Sequence, residues 1–342
     1  MSGVEAVRDA VPRRAVAGGN GTELGALFAS WRAEIGVGTA LAGLIAIGGV
    51  LAPHFLTFGN FASLLTQTAI PAMVAVGMTL VMIAGEIDLS VGATVGLAGT
   101  VFAWLVVSHG LPLLLAGVIV LLGAALIGSA IGTLRVVWDI PSFIITIGLL
   151  STLRGCAFLL SQGVSIGPLP DVMGVLWYGS LAGLPVPVAL MVATIALGWL
   201  ALSQTRFGRH VYALGGDAET AARYGVPVAR LRIAVFVLVQ LLAAFGGIML
   251  VARLNAGNAT LGEQLELDVI AAVIVGGTSL AGGSGRIVGT VIGVLFVAVL
   301  RNEMVLVGVY PIGFMIAQGL VIVLAVWWSR LRNRGPRDGR RR

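Results

Sequence analysis

The sequence has no lysine, one cysteine and few charges, only 11% of its 342 residues. Each scarcity excludes something. A single cysteine, Cys156, leaves no internal disulfide. It lies in an apolar stretch and is expected to act as a small packing residue. Soluble domains carry about 25% charged residues, so this composition excludes one. Histidine is as sparse: His54, His109 and His210 fall in separate loops, with no spacing suited to a metal. No nucleophile–base constellation is visible either. There is no GxxxxGK[ST] phosphate loop.

What is present is apolar. The chain is 58% hydrophobic and contains 49 glycines, with a mean hydropathy of +1.02. Apolar runs occur at 35–52, 62–84, 89–108, 111–134, 141–161, 185–203, 233–252, 268–284, 287–300 and 306–328. About 20 residues are needed to cross a bilayer as a helix. The expected fold is therefore an all-α polytopic membrane protein with about ten transmembrane helices. The eighth and ninth runs are short, and are expected to be half-helices or a broken pair.

All 21 basic residues are arginine, and their distribution orients the chain. With the N-terminus in the cytoplasm, 18 fall inside; only Arg253 and Arg301 fall outside, and Arg154 lies within a span. The reverse threading inverts that ratio, so the positive-inside rule places both termini in the cytoplasm. The net charge of +6 thus reflects membrane topology, and nucleic-acid binding is not expected.

The expected organisation is a cytoplasmic segment at 1–34, a transmembrane domain at 35–328 and a basic cytoplasmic tail at 329–342. Leu24, Leu27, Phe28, Trp31 and Ile35 recur at helical spacing. They form either a short interfacial helix or a lead-in to the first span; no cleaved signal peptide is expected. A weak internal repeat relates Ala84-Gly85, Val91-Gly92 and Gly96 to Ala281-Gly282, Val288-Gly289 and Gly293 at a fixed offset. It places similar turns six spans apart, as a parallel repeat would.

The one long polar segment between spans is 204–232, with five arginines. Asp217 is a good N-cap and Glu219–Arg223 an i,i+4 pair in the favourable order. Gly225 suits the position after the helix, and Pro227 stops it. A helix of about two turns is marginal alone, so it must dock: on its own protein, or on a soluble partner.

Charges near the bilayer are the remaining candidates. Glu86, Asp88 and Ser90 sit in GEIDLSVG. Asp88 either caps the third span or, with Glu86, lines a path or its inner gate. The repeat suggests Arg286 as a partner for either acid. Arg154 either snorkels to the outer surface or faces a cavity, where it can donate to sugar hydroxyls. On the outer side, Arg253, Glu263 and Glu266 are candidate rim charges, and Asp268 a cap for the eighth span. Trp177, Tyr178, Trp327 and Trp328 are expected in interfacial belts, with sugar stacking an alternative for Trp177.

TRFGRHVYALGGDAETAARYGV at 205–226 resembles the cytoplasmic loop of ABC transporter permeases of the ribose/xylose type. GMTLVMIAGEIDLSVGA at 77–93, IPSFIITIGLLSTLRG at 140–155 and LDVIAAVIVGGTSLAGGSGRIVGT at 267–290 agree in order and spacing. The resemblance covers about 60 to 328. It implies a permease subunit of a monosaccharide importer, most simply a pentose importer, in a bacterial inner membrane. It also implies partners: ATP-binding cassette subunits that hold ATP and magnesium, a periplasmic sugar-binding protein, and a second permease copy. This chain itself would hold no cofactor and catalyse no reaction. The coupling residues implied are Gly215, Gly216, Asp217, Glu219, Ala221, Ala222, Arg223 and Gly225. Departures exist. Asp217 stands where such loops carry Asn, Tyr224-Gly225-Val226 replaces Ser-Gly-Ile, and Glu86, where many relatives carry Gly, resembles xylose-type members. Another sugar, a polyol or an autoinducer-type furanoside fits the same resemblance. A proton-coupled secondary transporter using Glu86 and Asp88 is the rival mechanism.

Overall fold

Residues 31–332 are described by a computed structural model. The elements are α1 (Arg32–Leu51), α2 (Phe58–Ile83), α3 (Val91–Ala103), α4 (Leu113–Val137), α5 (Ser142–Ser161), α6 (Val186–Gln204), α7 (Arg206–Gly216), α8 (Ala218–Arg223), α9 (Val228–Leu254), α10 (Leu265–Val275), α11 (Ile287–Leu306) and α12 (Pro311–Arg332). A π turn at Trp104–Ser108 extends α3, and a two-residue ribbon pairs Ser180–Leu181 with Leu184–Pro185. Among the described residues, eight helices are long and apolar enough to cross a membrane. The protein is an all-α polytopic membrane protein.

Burial sorts the helices. Residues of α2, α3 and α9 form the centre, where Met73, Phe102, Phe236 and Met249 are almost fully enclosed. By contrast α4, α5, α6 and α12 turn Leu114, Leu126, Leu159, Leu197 and Leu324 outward. These faces have no hydrophobic drive to fold inward, because lipid is as apolar as the core. Cys156 is exposed on α5, so it does not pack as the sequence suggested.

Two spans are discontinuous. After α2 the chain turns at Ala84–Gly85 and is non-helical through 86–90 before α3 begins. Glu86 meets Arg232 near the start of α9, whereas Ser90 meets Gln240. Eight residues of helix separate those partners, about 12 Å at 1.5 Å per residue. The second break is at 255–264, which the sequence assigned to an outer loop. Its Gly257 pairs with Ile166 as an isolated bridge, and from there the backbone descends along α3. The stripe Gly92, Gly96 and Gly99 makes room: a Cβ at Gly96 would sit 2.8 Å from the Leu261 carbonyl oxygen and 2.9 Å from that of Ala259. The half-helix α10 follows.

The repeated glycines acquire a structural meaning here. Gly289 and Gly293 of α11 lie against the backbone of α10 at Gly276 and Ala272. Their counterparts Gly92 and Gly96 on α3 receive the non-helical segment just before it. One stretch of chain is thus held between two glycine stripes. Gly85 and Gly282 both take positive φ, 80° and 84°, and lie against each other.

Several span boundaries differ from the sequence reading. The eighth run is a half-helix, as one expectation had it, but the ninth is a full helix of 20 residues reaching Leu306. Its apolar run is interrupted by Arg301, Asn302 and Glu303, which neighbouring helices accommodate: Arg301 pairs with Asp268, Asn302 with Asn60, and Glu303 is buried against Gly48. The boundaries at 34/35 and 328/329 fall inside α1 and α12. Of the suggested interfacial helix, Leu24, Leu27 and Phe28 lie outside the described residues, as do the start of the N-terminal segment and the end of the basic tail.

Candidate functional site

The polar loop folds as α7 and α8 at one end of the bundle, and sequence dictates both. Thr205 caps α7 through Gly208 N–H at 3.2 Å. Asp217 caps α8, accepting from the backbone of Glu219 and Thr220 at 3.0 Å each and from the Thr220 hydroxyl at 2.7 Å. The Thr220 backbone N–H, then its hydroxyl, hold the Asp217 carboxyl below its ordinary range. A lowered carboxyl pKa means that the cap persists at and above the ordinary carboxylate range, and is lost only as pH falls through the lowered value. The Glu219–Arg223 pair forms at 2.6 Å. Gly225 takes φ 81° and ends the helix.

α8 presents two faces. Glu219, Thr220, Ala222 and Arg223 are exposed, and Tyr224 is 85% exposed. Ala221 is buried beneath them. Of the coupling residues named from the sequence, Ala221 and Gly215 therefore face the protein's own interior. Gly215 is the tightest contact in this region: a Cβ there would strike the Ile83 carbonyl oxygen and lie 2.5 Å from Gly283 N. Gly283 N–H in turn donates to Ile83 O at 2.8 Å. So α7 bears directly on the end of α2 and on the turn between α10 and α11.

Glu86 links the same end to the first discontinuous span. Its carboxylate is buried and accepts from Arg135 Nε at 3.0 and 3.1 Å. Arg232 Nε lies 3.1 Å from Oε1 as an ion pair without hydrogen-bond alignment. Arg135 also pairs with Asp139. The suggested pairing of Arg286 with Asp88 or Glu86 is not formed. Arg286 turns to α1, 3.4 Å from Glu34 and 4.5 Å from the Trp31 ring. The repeat brings the two turns together, but its cation leaves on the opposite side.

Asp88 and Ser90 belong to a buried network deeper in the bundle. Asp88 accepts from Ser90 N at 2.9 Å, Ser90 Oγ at 2.6 Å and Gln240 Nε2 at 2.8 Å. Gln240 accepts from Thr94 at 2.5 Å. Asp88, Ser90 and Gln240 are fully buried, so they hold the start of α3 on α9. Ser90 takes the N-cap position, and Asp88 binds its backbone N–H from two residues before.

Arg154 is half-buried, and its guanidinium turns to backbone. Its Nη1 donates to Ala259 O at 2.5 Å and Leu261 O at 2.9 Å. Backbone polar groups without helical partners must be satisfied within the protein at membrane depth, and Arg154 does this for the descending segment. We expect Arg154→Leu to leave two carbonyls unpaired, at about 1–3 kcal/mol each. Uptake by vesicles bearing the variant should fall at least tenfold while membrane insertion persists; normal uptake would remove this role.

The proposed rim charges separate. Glu263 is exposed, but Glu266 folds inward against Gly92 of α3, its Oε2 buried and without a hydrogen-bond partner. Arg253 lies 5.1 Å from the centre of the Trp177 ring. Trp177 itself is buried, not belted at an interface, and the Tyr178 hydroxyl donates to Arg253 O at 2.7 Å. Trp327 is exposed.

A cavity of about 230 Å³ opens between α2, α9, α10 and α11. Its polar lining is Gln67, Thr68, Arg253, Asp268, Arg301 and Asn302. Asp268, expected as a helix cap, instead accepts from Arg301 Nη2 at 2.6 Å and Gln318 Nε2 at 2.5 Å. Sequence reasoning did not single out Gln240, Gln318, Arg301 or Asn302. The available signal was a polar residue or short polar cluster inside an apolar run, which is costly in a membrane and rarely idle.

A polytopic helical bundle with broken spans and a short, capped, exposed helix packed at their end is the build of a membrane transport subunit. A family model described as "Branched-chain amino acid transport system / permease component" matches residues 60–326, and the chain belongs to that family. The chain is 41% identical over 291 residues to the ribose import permease protein RbsC of Escherichia coli, covering 84% of this chain and 90% of that protein. Similarity to the Bacillus subtilis ribose import permease protein RbsC is 38% identity, over 85% and 90% of the two chains. The xylose transport system permease protein XylH of Escherichia coli is 32% identical, over 82% and 87%. No solved structure matches the chain.

Proposed function

We propose that this chain is the membrane-spanning subunit of an ATP-driven importer of a pentose, with ribose-type transport favoured over xylose-type. The carrying observation is α8: a capped helix with an exposed face, whose flanking helices meet both discontinuous spans through Gly215 of α7 and Arg232 of α9. Relatives named as ribose import permeases match at higher identity than the xylose relative, and this supports the ribose type.

The chain crosses the membrane ten times with both termini in the cytoplasm: eight long helices, the half-helix α10 with its connector, and α12. The body at 35–328 acts between a lead-in at 1–34 and a tail at 329–342. Partner ATP-binding cassette subunits hold ATP and magnesium and dock on Glu219, Ala222 and Arg223. A periplasmic binding protein delivers the sugar to the face bearing Glu263, and two permease copies enclose the path in the bacterial inner membrane. Docking of the two motor states with different affinity shifts the permease between its conformations. The movement enters through α7 and Gly215, and passes to 84–90 and 276–286.

A proton-driven mechanism requires an acid that exchanges protons with both sides. Asp88 is fully enclosed and hydrogen-bonded, and Glu86 is flanked by two guanidiniums. The test is reconstitution with adjacent-gene partners, reading ATP hydrolysis and uptake across ribose, xylose, other sugars, polyols and furanosides. Uptake that needs a proton gradient and not ATP would overturn the proposal. Within that assay, Ala222→Glu and Glu219→Arg should lower uptake at least tenfold at unchanged protein stability, with ATP hydrolysis no longer stimulated by loaded binding protein. Unchanged coupling would show that the motor docks elsewhere.

A further inference from the structure

We infer that the cavity between α2, α10 and α11 is a sugar-binding station within the permease itself, where Asp268 and Arg301 grip adjacent hydroxyls. The inference rests on the sugar-importer reading and adds a site to it. At about 30 Å³ per water, the volume of about 230 Å³ has room for about seven or eight waters, the size of one monosaccharide ring.

The chemistry of the walls fits a polyol. A carboxylate offers about four acceptor positions. Arg301 and Gln318 take one each on Asp268, so two stay open. The Arg301 guanidinium stacks 4.2 Å from the centre of the Phe314 ring and spends one donor on Asp268, which leaves edge donors free. An acceptor and a donor fixed side by side match two neighbouring hydroxyls, one donating and one accepting. Gln67 donates its amide to Ser63 at 2.9 Å and keeps its carbonyl free on the cavity wall.

Thr68, Arg253 and Asn302 add further polar groups, and the rest of the wall is aliphatic, with Leu64, Pro71, Val294 and Val297 among its residues. No aromatic ring is among the lining residues, so hydrophobic stacking adds nothing to hold the sugar. The site is therefore a weak one, and a transit site must release what it admits. Its place also suits transit. Asp268 stands in the first turn of the half-helix α10, and Arg301 lies 12 residues beyond Gly289 on α11, about 18 Å from the end where α7 bears on the bundle.

The test labels the cavity in the reconstituted transporter. The exposed Cys156 is first replaced by serine, and Thr68→Cys then introduces a near-isosteric thiol in the wall. Ribose or xylose at tens of millimolar should slow maleimide labelling at least threefold. Val294→Cys on the opposite wall serves if Thr68→Cys fails to assemble. Asp268→Asn with Arg301→Gln removes both charges together; it should raise the half-saturation for uptake about tenfold, and abolish the protection. Equal labelling with and without sugar, in a transporter that still imports, overturns the site and leaves the importer intact. Failure of the wild type to import any sugar overturns the importer reading first.

Discussion

Glu86→Gln should give the largest single loss of function in this chain. The substitution leaves Arg135 and Arg232 facing a neutral amide in a setting where both guanidiniums are mostly buried, with side chains 18% and 17% exposed. Removing one partner of a buried ion pair costs about 3–5 kcal/mol; partial solvent access puts this cluster at the lower end, about 3 kcal/mol. Thermal unfolding of the solubilised protein should register that loss. Uptake should fall by more than the stability change explains, because Glu86 ties the non-helical connection 84–90 to the first turns of α9, directly after the proposed docking helix. The pair Glu86→Gln with Arg232→Gln separates the two effects. It should recover part of the stability, since an orphaned charge is gone, while uptake stays low. Uptake restored together with stability would reduce Glu86 to a structural residue.

Gly215→Val comes next. The contact of α7 with Ile83 and Gly283 is backbone against backbone, so no side chain exists that can rotate away. A branched residue must push α7 off the bundle by more than an ångström, and the α10–α11 turn loses its seat. Interiors transmit such strain because they are close-packed. The protein should still insert, because its spans are unaffected. ATP hydrolysis by the assembled transporter should continue while sugar uptake falls at least tenfold. Wild-type coupling in Gly215→Val would mean that α7 is a passive linker. Gly216→Ala is the matched control: a Cβ there meets nothing within 4 Å, and the expected effect is small.

These residues differ in how visible they were beforehand. Asp217, Glu219, Arg223, Gly225 and Pro227 announce α8 because capping and helix termination are local, and the structure builds the helix from those very contacts. Apolar run length announced most of the membrane helices for a similar reason: bilayer thickness sets a length that a sequence either meets or does not. Arg154 shows where this stops. Its type and position announced an expensive residue, but its partners, the carbonyls of Ala259 and Leu261, lie about a hundred residues away. Glu266 and Asp268 show the same limit. Two acids in one turn of helix, read from the sequence as a rim charge and a helix cap, point to different helices: Glu266 to α3 and Asp268 to α11 and α12.

The sequence alone thus determined that the chain is a helical membrane protein and that a short capped helix interrupts its apolar runs. Propensity, hydropathy and capping act over a few residues and survive in any arrangement of the spans. Only tertiary structure decided that two spans are broken, that the Gly92–Gly96–Gly99 stripe carries a non-helical segment, and that Asp268 and Arg301 meet across a cavity. In an apolar solvent most helix faces are interchangeable. The choice among packings falls to small residues that permit close approach and to rare polar groups that must find each other, and those pairings are not written in any local stretch of chain.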